Sequence, residues 1–318
     1  MSAWRSRVRL WCAIFSVSLE ERLVYRGDFA FGTLMRFLPM LTQIFLWWAI
    51  FDAMAGRPEA EATGAASVVA AVGSELAGGG VTGDAVSTES EGVKRDISEV
   101  RIKGYNLNDM IAYMLLVMLA RAFSSMPGLT SGIASSIQKG EVKKFLIQPV
   151  DMLGSLLLQR IAHKLVYYLI AFFPFALVFF LCRSYFEAGF PSPAMLAAVV
   201  LSLVGAFLLG FAMEACLGLV AFWLLEVSSL AFIFMLFSFF LSGHMFPLDL
   251  MPAPLDWIIG LLPFQYLAYF PSAVALGKIQ GDALITGLII QFVWVLIFGG
   301  LCRILWQRGL VRYGGYGG

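Results

Sequence analysis

Few residues of this chain are equipped to do chemistry, and they fall into two groups. The first is the lysine-rich stretch IQKGEVKKFLIQPV at 137–150, a compact charged interruption between two apolar runs. On a short helix there, Val142, Phe145 and Leu146 share one face, Lys143 and Lys144 flank it, and Pro149 stops the helix. A rigid charged element with an apolar face suits a push from a soluble partner; the plain alternative is a basic loop that anchors topology. The second group is Arg121 and Glu214, which fall inside otherwise apolar helices. A charge at the bilayer centre costs about 2.5–3.5 kcal/mol on insertion scales, so such residues face a partner or a water-filled path. The sequence offers two uses for them: an ion pair inside the bundle, or contact between Glu214 and a cationic ligand.

The missing chemistry narrows the field further. GGGVTGDA at 78–85 and ALGKIQ at 275–280 lack the glycine spacing and the Lys-Ser/Thr pair that grip phosphate and magnesium. There is no nucleophile elbow and no carboxylate pair at short spacing, so no catalytic residue is expected. His163 and His244 have no HExxH-type spacing, and no metal site is expected. Cys12, Cys182, Cys216 and Cys302 lie far apart in or beside apolar runs and read as small packing residues. If this protein does work, the energy comes from another polypeptide or from an ion gradient.

The elements that must position these residues are helices in a membrane. The chain has 318 residues, 60% hydrophobic and 14% charged, where a soluble domain carries roughly 25% charged residues. The bilayer is its natural solvent, and a net charge of +1 excludes nucleic-acid binding driven by bulk charge. With about 20 apolar residues per crossing, the length accommodates six transmembrane helices. Ahead of them, in 1–27, Trp4, Val8, Trp11, Phe15 and Leu19 recur at helical spacing among arginines, an amphipathic helix for the membrane interface. Spans are expected at about 29–51, then after an Asn108 cap, and at about 153–182, 195–223, up to 246, and 284–305. Gly205, Ala206, Gly210 and Ala212 suit close helix packing. Prolines 247, 252, 254, 263 and 271 forbid one continuous helix before the last span and predict short re-entrant helices. The arginines and lysines of the short loops place both termini in the cytoplasm and the polar 56–104 loop outside.

The stretch at 137–150, taken with FFLSGHMFPLDLMPAPLDWIIGLLPFQYLAYFPSAVALG at 239–277 and a glycine-tyrosine tail, resembles the ABC-2 type permeases. More narrowly it is similar to the bacterial branch, viologen or multidrug exporter-like, whose permeases work in pairs with a separate ATPase. The resemblance implies an all-α integral membrane fold: six transmembrane helices, an N-terminal interfacial helix, a cytoplasmic coupling helix at 137–150 and extracellular re-entrant helices before the last span. It implies coupling through Gly140, Glu141, Phe145, Leu146 and Pro149, with Lys143 and Lys144 beside them. An external gate would fall at Ser242, Gly243, Pro247, Pro252, Pro263 and Pro271. It implies no cofactor on this chain, with ATP and magnesium on a nucleotide-binding partner, and a second permease beside it in the lipid bilayer of a bacterial inner membrane. The cargo would be an amphipathic or cationic small molecule. The 56–104 insertion departs from the family pattern. Two other classes remain open: an ion-coupled transporter or channel using Glu214 as a proton relay, and a membrane scaffold whose 56–104 loop binds an envelope partner.

Overall fold

Long apolar runs can satisfy their backbone in lipid by coiling, because every N–H and C=O then finds a partner within its own segment. The computed structural model describes residues 2–24, 26–55, 97, 100–147, 151–186, 191–224, 226–252 and 255–315, and among them the chain is helical with no β-strand. The helices are α1 (Ser2–Val24), α2 (Arg26–Ala55), α3 (Leu107–Ser124), α4 (Leu129–Gln138), α5 (Lys143–Ile147) and α6 (Met152–Leu181). After them come α7 (Pro193–Leu219), α8 (Ser228–Leu241), α9 (Leu255–Leu261), α10 (Tyr269–Ala275) and α11 (Gly281–Gly315). Most of the 56–104 insertion lies outside the described residues.

Five stretches among the described residues are long and apolar enough to cross a membrane: Phe37–Ala55, Leu107–Gln138, Met152–Leu181, Pro193–Phe222 and Gly281–Tyr313. The remaining expected span, the fifth in chain order, falls on α8, which has only 14 residues. At 1.5 Å per residue it reaches about 21 Å, short of the roughly 30 Å hydrocarbon core. The apolar sequence continues past Leu241, but the helix does not. Gly243 takes φ 77°, a left-handed conformation, and turns the chain back.

Beyond Gly243 the chain forms a series of short helices, as the prolines dictate. Pro247 precedes a 3₁₀ turn at Leu248–Leu250, Pro263 opens another at Pro263–Leu267, and Pro271 sits in the first turn of α10. At these positions the missing N–H breaks no helical bond. Pro252 is exposed on the approach to α9. The α3 cap also differs from expectation. Asn106, not Asn108, is the cap: its Oδ1 receives the Asp109 N–H, three residues on, at 2.6 Å.

Helix α7 is the centre of the packing, touching α3, α4, α10 and α11. Its small residues are the reason. A Cβ added at Gly210 would stand 2.2 Å from the Ser124 carbonyl oxygen, and one at Gly218 would stand 2.7 Å from Ile133. At Gly205 the space is filled by the Gln291 side chain, which is fully buried. Cys216 and Cys302, distant in sequence, meet between α7 and α11 with their sulfurs 3.0 Å apart. On α6, Phe172, Phe173 and Phe180 face outward while Phe175 is buried. Helix α1 lies along α6, with the Trp11 ring over Gly154.

Candidate functional site

The second crossing is broken in its middle. Residues 125–128 read Ser-Met-Pro-Gly; Pro127 withholds an N–H, and Gly128 takes φ 73° before α4 begins. A helix interrupted at membrane depth strands backbone donors and acceptors that water cannot reach. Three charged side chains attend to them. Lys164, buried on α6, donates its Nζ to the Ala122 carbonyl and, at 2.6 Å, to the Ser125 carbonyl. Arg160 Nη1 donates to the Pro127 carbonyl at 2.8 Å. Glu214, on α7, accepts the Met126 N–H on Oε1 at 3.2 Å, and its own carbonyl accepts the Thr130 hydroxyl at 3.0 Å. The signs follow helix electrostatics, with cations on the carbonyls and the anion on an N–H. Arg160, Arg121 and Lys164 all lie close enough to act on the Glu214 charge.

A cavity of about 530 Å³ opens against this break. Its polar wall carries Arg121, Glu214, Gln43, Ser124 and His244, and its apolar wall is rich in methionine: Met40, Met114, Met118, Met126 and Met235, with Phe234. Arg121 reaches across it from α3 to donate Nη1 to Ser238 Oγ on α8 at 3.2 Å. The two intramembrane charges singled out in the sequence thus share one cavity, and Glu214 has the further duty of capping the helix break. Thioether side chains are flexible and polarisable, so this wall can adapt to differently shaped guests.

At its far end α4 runs directly into the lysine-rich stretch. Gly140 adopts φ 74°; its N–H bonds the Ile137 carbonyl at 3.2 Å and the Glu141 N–H bonds the Ser136 carbonyl at 2.9 Å. This pair of bonds is a Schellman motif, with glycine at its left-handed position. The expected single apolar face is corrected. Val142 is fully buried in a core with Ile137, Met152 and Trp306, and Phe145 packs against that core, whereas Leu146 and Ile147 are 55% and 85% exposed. A turn joins α4 to the five-residue α5, and the i→i+3 bonds from Gly140 to Phe145 align Val142 with Phe145 and turn Leu146 away. Lys144 pairs with Glu141 at 3.1 Å on the exposed side, and Lys143 is exposed as well. Pro149 lies outside the described residues.

The family described as ABC-2 family transporter protein matches residues 97–317. The chain belongs to the ABC-2 transporter family. No curated protein matches it. This ABC-2 permease is therefore a multi-pass membrane transport component, and the matched residues contain the broken crossing, the cavity and the lysine-rich turn.

In the ABC-2 permease the series of short helices after α8 is held by groups that the sequence did not flag. The Tyr113 hydroxyl donates to the Gly243 carbonyl at 2.6 Å, and the Tyr269 N–H donates to the Ser242 carbonyl at 2.8 Å. Asp249 accepts from the Tyr105 hydroxyl at 2.7 Å and from the Tyr269 hydroxyl. Lys103 donates to the carbonyls of Asp249 and Met251, at 3.1 and 2.9 Å. Lys278 pairs with Asp109 at 2.8 Å and lies 4.7 Å from the centre of the Tyr105 ring. Burial, and then the Asp249 carboxylate, push the Tyr105 phenol up from its ordinary pKa. These tyrosines and acids carry no spacing signal in the sequence, and the fold alone assembles the clasp. Ser242 and Gly243 belong to it directly, Pro247 borders it, and Pro263 and Pro271 shape the backbone around it.

Proposed function

We propose that this permease is the transmembrane subunit of an ATP-driven exporter of an amphipathic small molecule, with ATP and magnesium held on a separate nucleotide-binding subunit. The observation that carries this reading is mechanical continuity. Exposed Leu146 and Ile147 stand beside a rigid glycine turn, and the turn is the end of α4, a 10-residue rod about 15 Å long whose other end borders the cavity. A partner closing on Leu146 and Ile147 would drive that rod against the break at 125–128. The wall carrying Arg121, Glu214 and the methionines would then change shape. A guest bound more tightly before the push than after it is released on the far side, which gives direction. The Asp249 clasp is the matching external gate. A second permease would complete the path, with both termini in the cytoplasm of a bacterial inner membrane.

Purification of the tagged chain from its native membranes in mild detergent tests this reading, with mass spectrometry of the companions. The expected companion carries GxxxxGK[ST] and is lost when Leu146→Asp and Ile147→Asp are introduced, while the permease keeps its elution profile. If no such ATPase accompanies the chain under conditions that preserve other membrane complexes, the reading fails.

A further inference from the structure

The charge around the cavity is lopsided. Glu214 is the one acid among the residues that line it, and its Oε1 is already engaged by the Met126 N–H. The charged groups that act on it, Arg160, Arg121 and Lys164, are all cations. A cationic guest would have to approach those three charges to reach a carboxylate that is holding a helix break. The opposite sign meets a prepared surface. Arg121 and Ser124 stand three residues apart on one face of α3, and both line the cavity. Ser124 is 3% exposed, and its hydroxyl finds no hydrogen-bond partner among the described residues. Buried hydroxyls are rarely left without an acceptor, so this one is available to a ligand or an ordered water in the cavity. The first turn of α4 contributes Thr130 and Ser131 to the same wall, so the positive end of that helix faces the cavity. His244 Nδ1, also unpartnered among the described residues, borders it.

We propose that this cavity receives the anionic head group of an amphipath, a carboxylate, phosphate or sulfonate, with Arg121 and Ser124 as its donors and the methionine wall around its tail. The proposal rests on the reading of the cavity as the cargo site and fixes the sign of the cargo. A charge-assisted hydrogen bond from a guanidinium is among the stronger polar contacts available, and it sets selectivity between head groups.

The test uses the full chain in phosphatidylcholine nanodiscs and three fluorescent probes that share a dansylated undecyl tail, ending in carboxylate, trimethylammonium or hydroxyl. Empty nanodiscs supply the partition background. Saturable binding is expected for the carboxylate probe at least about tenfold tighter than for the trimethylammonium probe. Arg121→Gln is expected to erase that preference, and Ser124→Ala to weaken the carboxylate probe by about threefold. Glu214→Gln, which keeps an acceptor for the Met126 N–H, is expected to tighten it. Equal or tighter binding of the trimethylammonium probe overturns the proposal and leaves the cargo-site reading standing. Saturation by none of the three probes overturns both. If Arg121→Gln does not fold, the wild-type ratio and Ser124→Ala decide alone.

Discussion

Replacing Gly210 by alanine puts a methyl group where α7 meets the end of α3. That Cβ would stand 2.2 Å from the Ser124 carbonyl oxygen, more than about 1 Å inside normal contact. The obstacle is backbone, at the lip of the helix break, and it cannot rotate away. Overpacking of this kind costs about 1–3 kcal/mol, offset by about 0.5–1 kcal/mol from the better helix propensity of alanine. A net loss of about 1–2 kcal/mol corresponds to a fall of roughly 1.5–3 °C in the unfolding midpoint of a 318-residue chain. Two controls bracket it. Gly132→Ala meets nothing within 4 Å and should hold or slightly raise the midpoint. Gly205→Ala meets the end of the Gln291 side chain at 2.6–2.9 Å, which can yield by loosening its bonds to the Ser202 and Tyr266 carbonyls. Its loss should fall between the other two. The assay is intrinsic-tryptophan thermal unfolding of the three variants in one detergent. A Gly210→Ala midpoint as high as that of Gly132→Ala would refute the close α3–α7 approach and, with it, the geometry of the cavity wall.

Three further outcomes are expected. Gly140→Val forces a branched residue into a left-handed conformation and brings its Cβ to 3.1 Å from the Tyr313 hydroxyl; it should lower stability by about 1–2 kcal/mol and uncouple transport from the ATPase, whereas Gly140→Asn should retain both, as measured by ATP-dependent uptake into inverted vesicles. Lys164→Met leaves the Ala122 and Ser125 carbonyls without their donor and should lower stability by an amount on the order of 1–3 kcal/mol, with Lys164→Arg milder; an unchanged unfolding midpoint would remove Lys164 from the support of the break. The raised Tyr105 phenol makes its contribution in full below the ordinary tyrosine value of about 10 and loses it only as pH rises through the raised one. Labelling of a cysteine introduced as Leu250→Cys, divided at each pH by the rate of a free model thiol, should therefore be flat between about pH 6 and 9, and should accelerate when Asp249→Asn or Tyr269→Phe loosens the clasp.

What the sequence made legible was local. Apolar runs announce crossings and prolines 247, 263 and 271 announce short helices, because each feature acts within a few residues of itself. Long-range assignments are beyond it. Glu214 serves an N–H 88 residues away, and no spacing rule connects them. Lys164 and Arg160 carry no signal on α6 because their targets exist only once the second crossing breaks. Hydropathy carries the fifth crossing on to 246, whereas a single left-handed glycine ends the helix at Leu241. The face of the coupling segment is misassigned for a similar reason. One helical wheel through that stretch gives Val142 and Leu146 the same side, whereas the i→i+3 bonds there pair Val142 with Phe145 instead.

The seam between α7 and α11 is notched at three levels: Gln291 over Gly205, Cys302 against Cys216, and Gly309 under the Phe222 ring that follows α7. From 291 to 309 the notches span about 27 Å of helix. Neither helix can slip along the other by a turn without withdrawing Gln291 from the carbonyls it bonds and lifting Phe222 off a position that admits only glycine. The two helices are thus keyed like a shaft and hub, and they are expected to rotate or tilt together. Helix α8 has no such keys, with Ser238 its one buried residue among those described. The plane along which this subunit can shear therefore runs beside α8, on the side of the molecule where Arg121 reaches across to Ser238.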